Sequence, residues 1–134
     1  MAIGETDDLE AVIDSYEVAA AVTKGDPVYL SADDKVSPAA AAQECIGIAT
    51  KTVASGAMCP VLVKGRVKVK AGAAITRGKA VLGADASKRI IVFADQPVNE
   101  AGSGSYSIYF NRKLGMALEA ATAADDLIFI KVGK

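Results

Sequence analysis

Histidine and tryptophan are both absent from this 134-residue chain, and aromatic residues make up only 5% of it. The missing histidine removes the commonest general base and one of the two usual zinc ligands, so most hydrolytic and zinc chemistry loses its ordinary side chain. Two cysteines, Cys45 and Cys59, are too few for a disulfide framework, and their spacing matches no zinc pattern. They read as small buried hydrophobes. No basic start followed by an apolar run marks a signal peptide, and no stretch approaches the ~18 apolar residues of a membrane helix. The expectation is a protein made and kept in a cytoplasm, with no membrane partner and no cofactor.

What is present is 51% hydrophobic, and much of that is alanine. The core is therefore expected from Val, Ile, Leu and Ala, enough for one domain of common size but not a thick one. A thin core on a moderately apolar chain leans toward surface completed by a partner or by self-association.

The net charge of -1 argues neither for nucleic acid nor for a strongly acidic substrate. The average hides an asymmetry. Residues 1–23 hold six acids (Glu5, Asp7, Asp8, Glu10, Asp14, Glu17) and no base; the remainder holds fifteen bases and ten acids, or +5. Two readings stand open for this acidic start: a solvated, frayed terminus, or an arm that docks onto a basic neighbour, another copy included. Leu9, Val12, Ile13 and Tyr16 fall at helical spacing behind Thr6 as a candidate N-cap, while Val18 to Val22 suit an extended lead into a turn at Gly25. The expectation is an arm over residues 1–17 with at most a short helix.

From Gly25 onward the pattern is strands and turns. "VYL" (28–30), a polar turn at Asp33-Asp34-Lys35, then Val36 reads as a hairpin. "CIGIATKTV" follows as a strand and "ASGAMC" as a turn. "PVLVKGRVKVK" then alternates with period two: Val63, Gly65, Val67 and Val69 on one face, Lys64, Arg66, Lys68 and Lys70 on the other. "AVLGA", "RIIVFA", "YSIYFN", "LGMALEA" and "LIFIKV" continue the style, with "NEAGSGS" (99–105) the loosest turn. Many short strands at close spacing predict a mainly β chain, a small barrel or sandwich over residues 18–134.

One stretch imitates a phosphate-binding loop. "GAAITRGKA" (72–80) has Gly78-Lys79, but the first glycine of G-x-x-x-x-G-K-[ST] falls on Ala73 and the magnesium hydroxyl on Ala80. An internal echo supplies another reason for the pair. "TKGDPVYL" (23–30) is echoed by "TRGKAVLG" (76–83), and "IGIATKTVASGAMCPVLVKG" (46–65) by "LGMALEAATAADDLIFIKVG" (114–133), aligned without a gap. Gly78-Lys79 is then the counterpart of Gly25-Asp26. A glycine that recurs beside a changing charge suits a turn with positive φ, not a phosphate site.

These residues carry a family resemblance. The order Val22-Thr23-Lys24-Gly25-Asp26-Pro27-Val28-Tyr29-Leu30, Asp33-Asp34-Lys35-Val36-Ser37-Pro38-Ala39, Ile46-Gly47-Ile48-Ala49, the Val61–Val69 strand and Ile75-Thr76-Arg77-Gly78 resembles the small phage capsid cement, or head decoration, proteins. The "YLSADDKVSPA…IGIA" portion is also similar to the decoration protein of lambda-like phages. The likeness covers about residues 18–133 and rests on spaced glycines and apolar strands. One departure is Asp34, where the usual turn is Asp-Gly-Lys. The resemblance implies a β-barrel or β-tulip-like domain, a homotrimer, bound to the major capsid protein on the outside of the capsid. It also implies an N-terminal arm reaching onto the shell, here Glu5, Asp7, Asp8, Leu9, Glu10, Val12, Ile13 and Tyr16, carried over by position alone.

Other candidates are plainer. Ser103 and Ser105 lie in a Gly-Ser loop without a base, and Asp125-Asp126, though paired carboxylates, sit at a turn. The basic face Lys64, Arg66, Lys68, Lys70 is either the solvated side of a strand or a contact for acidic surface; nucleic acid is disfavoured because no aromatics interleave with the bases. The function expected is a structural virion protein, not an enzyme; the alternative is a small β-barrel ligand-binding or adaptor module, which an exposed aromatic platform or cleft would support.

Overall fold

A computed structural model of the chain describes residues 3–4, 11–41, 43–83, 85, 87–93 and 112–133. Among these residues there is no α-helix. Nine strands form one sheet: β1 (Val12–Val18), β2 (Pro27–Ala32), β3 (Lys35–Pro38), β4 (Cys45–Ala49), β5 (Met58–Lys70), β6 (Ala80–Gly83), β7 (Ile90–Val92), β8 (Gly115–Ala117) and β9 (Leu127–Val132). The order across the sheet is β1-β3-β2-β4-β5-β9-β8-β6-β7, and β1 also pairs with β5. That second pairing closes β1, β3, β2, β4 and the first half of β5 into a five-stranded barrel, which leaves no free edge among its members.

β5 is the spine of the molecule. Its thirteen residues extend over roughly 43 Å at the usual strand rise. Up to Lys64 it pairs antiparallel with β1. From Gly65 to Lys70 it pairs with β9. The second half then carries β9, β8, β6 and β7, and its far end returns to the residue after β5 through an isolated parallel bridge between Ala71 and Ile90, which curls these strands into a second barrel. The Gly72 N–H donates to the Ile90 carbonyl at 2.8 Å, just as the Ala19 N–H donates to Val36 at 2.8 Å where β1 meets β3.

Two apolar clusters fill the two halves. One gathers Val18, Val22, Val28, Val36, Ala49, Val53, Cys59 and Val61; the other gathers Val67, Val69, Val81, Ile90, Leu114, Ile128 and Ile130 among others. Ile48, Cys45 and Leu62, on strands of the first barrel, belong to the second cluster, so the barrels share buried surface instead of hanging from a linker. Both cysteines are buried and neither is in a disulfide, as their reading as small hydrophobes requires.

The Gly-Lys pair is a turn. Gly78 has φ 86° and Gly25 φ 95°, values that side-chain-bearing residues rarely adopt. Gly78 N–H donates to Ala117 and Lys79 N–H to Thr76; Gly25 N–H donates to Ala49 and Asp26 N–H to Thr23. The expected hairpin also forms, with β2 and β3 antiparallel and Asp34 at φ 56°, the conformation for which Asp and Asn are the tolerated stand-ins for glycine.

Two expectations change. The helical spacing of Val12, Ile13 and Tyr16 does not yield a helix, because these residues pair with Lys64, Leu62 and Cys59 of β5. The body of the protein therefore begins before residue 18, and the arm boundary at 17 cuts through a strand. The ungapped echo also slips. A Cβ on Gly47 would meet the Leu62 carbonyl and one on Gly115 the Lys131 carbonyl, so the second half spends one residue more between these points. The surplus lies in the turn before β9, where Asp125 N–H donates to Ala71 while its partner in the first half, Gly56 N–H, donates to Val18.

One ionic cluster ties that turn to the β6–β7 hairpin. Arg89 Nε and Nη2 both reach Asp85 Oδ2 at 2.8 Å, and Nη1 reaches Asp125 at 3.0 Å. The other Asp85 oxygen accepts the N–H groups of Ser87 and Arg89. Burial pushes the Asp85 carboxyl up, but the Arg89 side chain and these two N–H groups outweigh it and hold it below the ordinary range. A carboxyl depressed in the folded state stabilises above its unfolded value, about 3.9, and that stability is lost as pH falls through the folded value. Asp85→Asn is therefore expected to lower the urea midpoint at pH 7. The gap from the parent should begin to close as pH falls below about 4 and vanish only below the depressed folded value, where both side chains are neutral. A gap of constant size down to pH 2 would show that the charge is immaterial.

Candidate functional site

The four basic residues of β5 keep their alternation. Gly65, Val67 and Val69 are buried, Lys64 and Lys70 exposed, Arg66 and Lys68 half-buried. The antiparallel register with β9 sets Lys131 opposite Arg66, Phe129 opposite Lys68 and Leu127 opposite Lys70. Directly opposed residues in an antiparallel pair point to the same face. The next strand adds Met116 opposite Lys131. The outer face of the second barrel is thus a continuous patch of cations and apolar side chains, with Met116 45% and Leu127 43% exposed.

Phe129 organises the cations. The Arg66 guanidinium lies 4.1 Å from the ring centroid and Lys68 Nζ 4.6 Å from it. Each such contact contributes about 0.5–1 kcal/mol at an exposed site and, more to the point here, fixes where the charge sits. Lys68 also reaches Glu119 at 3.7 Å. The Phe129 N–H bonded to Glu119 holds its carboxyl below the ordinary range, with Lys68 and Arg66 adding to the effect against a push from burial. Arg66 Nε is buried without a partner among the described residues. Aromatic interleaving, absent along β5, is supplied across the strand by Phe129; a sequence reading confined to one strand misses it. The signal was in "LIFIKV", whose alternation puts Leu127, Phe129 and Lys131 on one face.

The predicted arm splits. Glu5, Asp7, Asp8, Leu9 and Glu10 lie outside the described residues. Val12 and Ile13 are 44% and 47% exposed on β1, while Tyr16 packs against the first core. Of the residues ahead of them, Gly4 N–H donates to the Lys68 carbonyl and Ile3 covers Gly25, so this part of the chain is fastened to the body between the two barrels. Asp26 stands in the same region. Burial raises its carboxyl, opposed by the Thr23 N–H and by Lys88 and Lys70 of the second half.

Asp125 and Asp126 serve the turn before β9. Asp126 accepts the N–H groups of Thr122 and Ala123 and the Thr122 hydroxyl, which hold its carboxyl below the ordinary range, Thr122 first. Asp125, at φ 70°, pairs with Arg89 as above. Ser103 and Ser105 lie outside the described residues.

The sequence matches the family model of phage cement proteins over residues 39–133. The chain belongs to the phage cement protein family. No curated protein matches it. Among solved structures, the head fiber gp8.5 N base of bacteriophage phi29 is similar, with a TM-score of 0.61 at 18% identity, covering 91% of this chain and 93% of that one. At that identity the likeness is one of fold. A phage cement protein is a capsid-associated structural protein, and the double-barrel architecture of this member spans nearly the whole of that head-fiber base.

Proposed function

We propose that this phage cement protein binds the outside of the capsid and stabilises the mature shell, with the major capsid protein as its partner, and that it does so as a homotrimer. The match to the cement family over residues 39–133 is the observation that carries the reading. It is a structural and not an enzymatic role, with neither nucleic acid nor membrane as partner, played in the virion by a protein made in the host cytoplasm. The physical principle is mass action. A protein that binds the mature shell better than its precursor or its fragments shifts the equilibrium toward the intact shell. Many symmetric copies, each making modest contacts, add through avidity. Residues 5–10, with Val12 and Ile13 of β1, supply a contact to the shell or to a neighbouring copy in this reading.

A ligand-binding module of the carbohydrate type is less well supported. Its expected platform is an open aromatic surface, and Phe129 is instead covered by Arg66 and Lys68. The test is sedimentation of the purified chain with shells that lack it, followed by heating of the decorated shells.

A further inference from the structure

We infer that the outer face of the second barrel is the side that meets the shell, and that it recognises there an acidic protein surface bearing exposed apolar side chains. The inference rests on the cement reading and adds to it the orientation and the chemistry of the contact. Three observations converge. On a chain whose net charge is -1, the registers of β5, β9 and β8 bring Arg66, Lys68 and Lys131 together on one face, with Lys64 next along β5. The exposed Met116 and Leu127 lie beside these charges, so the patch combines apolar area with its cations, as protein interfaces do. Arg66 is also held in place. The Phe129 ring at 4.1 Å positions its guanidinium before any partner arrives, and among the described residues no carboxylate lies within ion-pair distance of it; Glu119, which feels its charge, is bonded to the Phe129 N–H and reaches Lys68. A preorganised guanidinium between apolar neighbours is suited to a carboxylate, which it engages through two parallel hydrogen bonds.

The first barrel offers a different surface. Its exposed strand β1 carries Asp14 and Glu17, and Lys35 is already paired with Glu17 at 3.7 Å. An acidic shell surface is therefore drawn to the second barrel, and Val12 and Ile13 of β1 are left to the contact with a neighbouring copy.

The test uses the full chain and shells lacking it. Lys70→Glu with Lys131→Glu reverses two exposed positions in the β5–β9 register and leaves Arg66, Lys68 and Phe129 in place. Lys51→Glu makes the same kind of change on the first barrel, at an exposed residue. With melting temperatures matched to the parent, the double variant is expected to lose at least about tenfold in shell affinity, and Lys51→Glu to bind as the parent does. Parent binding should weaken as salt rises from about 0.05 to 0.3 M, as expected for exposed charge pairs. Parent-like binding by the double variant, or equal loss in Lys51→Glu, overturns the assignment. So does tight binding of the parent to a single-stranded oligonucleotide that the double variant loses, because the face is then a nucleic-acid surface. No binding of the parent to any mature shell is a separate result, and it removes the cement reading itself together with this inference.

Discussion

Gly115→Ala is expected to destabilise the protein by about 3 kcal/mol or more, with Gly47→Ala close behind. A Cβ built on Gly115 lies 2.8 Å from the Lys131 carbonyl carbon and closer still to its oxygen; on Gly47 it lies 2.9 Å from the Leu62 carbonyl carbon, again with the oxygen nearer. These obstacles are backbone, not the free end of a side chain, so neither can rotate away. To admit a methyl group, β8 must part from β9, or β4 from β5, and each of those pairings closes a barrel over a buried core. Interiors are packed too tightly to absorb such a shift elsewhere. Gly133→Ala is the control. Nothing lies within 4 Å of its Cβ position, and the change should stay within about 0.5 kcal/mol. Urea melts of the three variants decide the matter. If Gly115→Ala melts with the parent, the close approach of the two backbones is wrong.

The second large effect concerns the N-terminus. Removing residues 1–17 is expected to unfold the first barrel, whereas removing residues 1–10 leaves it cooperative. The longer deletion takes away all of β1 except Val18, and with it the pairing to β5 from Val12 to Glu17 that closes the barrel. Val28, Val36, Val61 and Cys59 then lose their cover, and the edges of β3 and β5 are bared, an arrangement prone to aggregation. The shorter deletion loses the Gly4–Lys68 hydrogen bond and the Ile3 contact on Gly25 but spares every strand among the described residues. Far-UV circular dichroism and limited proteolysis report the difference. Cooperative melting of the longer deletion at the parent temperature would return residues 12–17 to an arm. It follows that only the 1–10 deletion can ask whether the N-terminal segment helps to dock the protein on a shell.

Much of the β framework was legible because its signals are local. "LIFIKV" became β9 and "PVLVKGRVKVK" the bulk of β5 through simple alternation. Asp34 took the turn conformation that the glycine of an Asp-Gly-Lys turn would supply. What the sequence hid is non-local. Val12, Ile13 and Tyr16 have helical spacing, and only the waiting edge of β5, more than forty residues away, makes them a strand. The division of the sheet into two barrels that share β5 is a matter of closure, which no window of sequence contains. The candidate site shows the same split. Its four β5 cations were readable from period two, but Phe129, Lys131 and Met116 join them only through the registers with β9 and β8.

The central claim is tested most directly by adding the purified full-length chain to mature shells that lack it and following both sedimentation and the temperature at which the shells open. The account predicts saturable binding at a fixed number of copies per shell and a higher opening temperature at saturation, as linkage requires of a ligand that prefers the intact state. Shells that open at the same temperature when saturated, or that bind none of the protein, would contradict it.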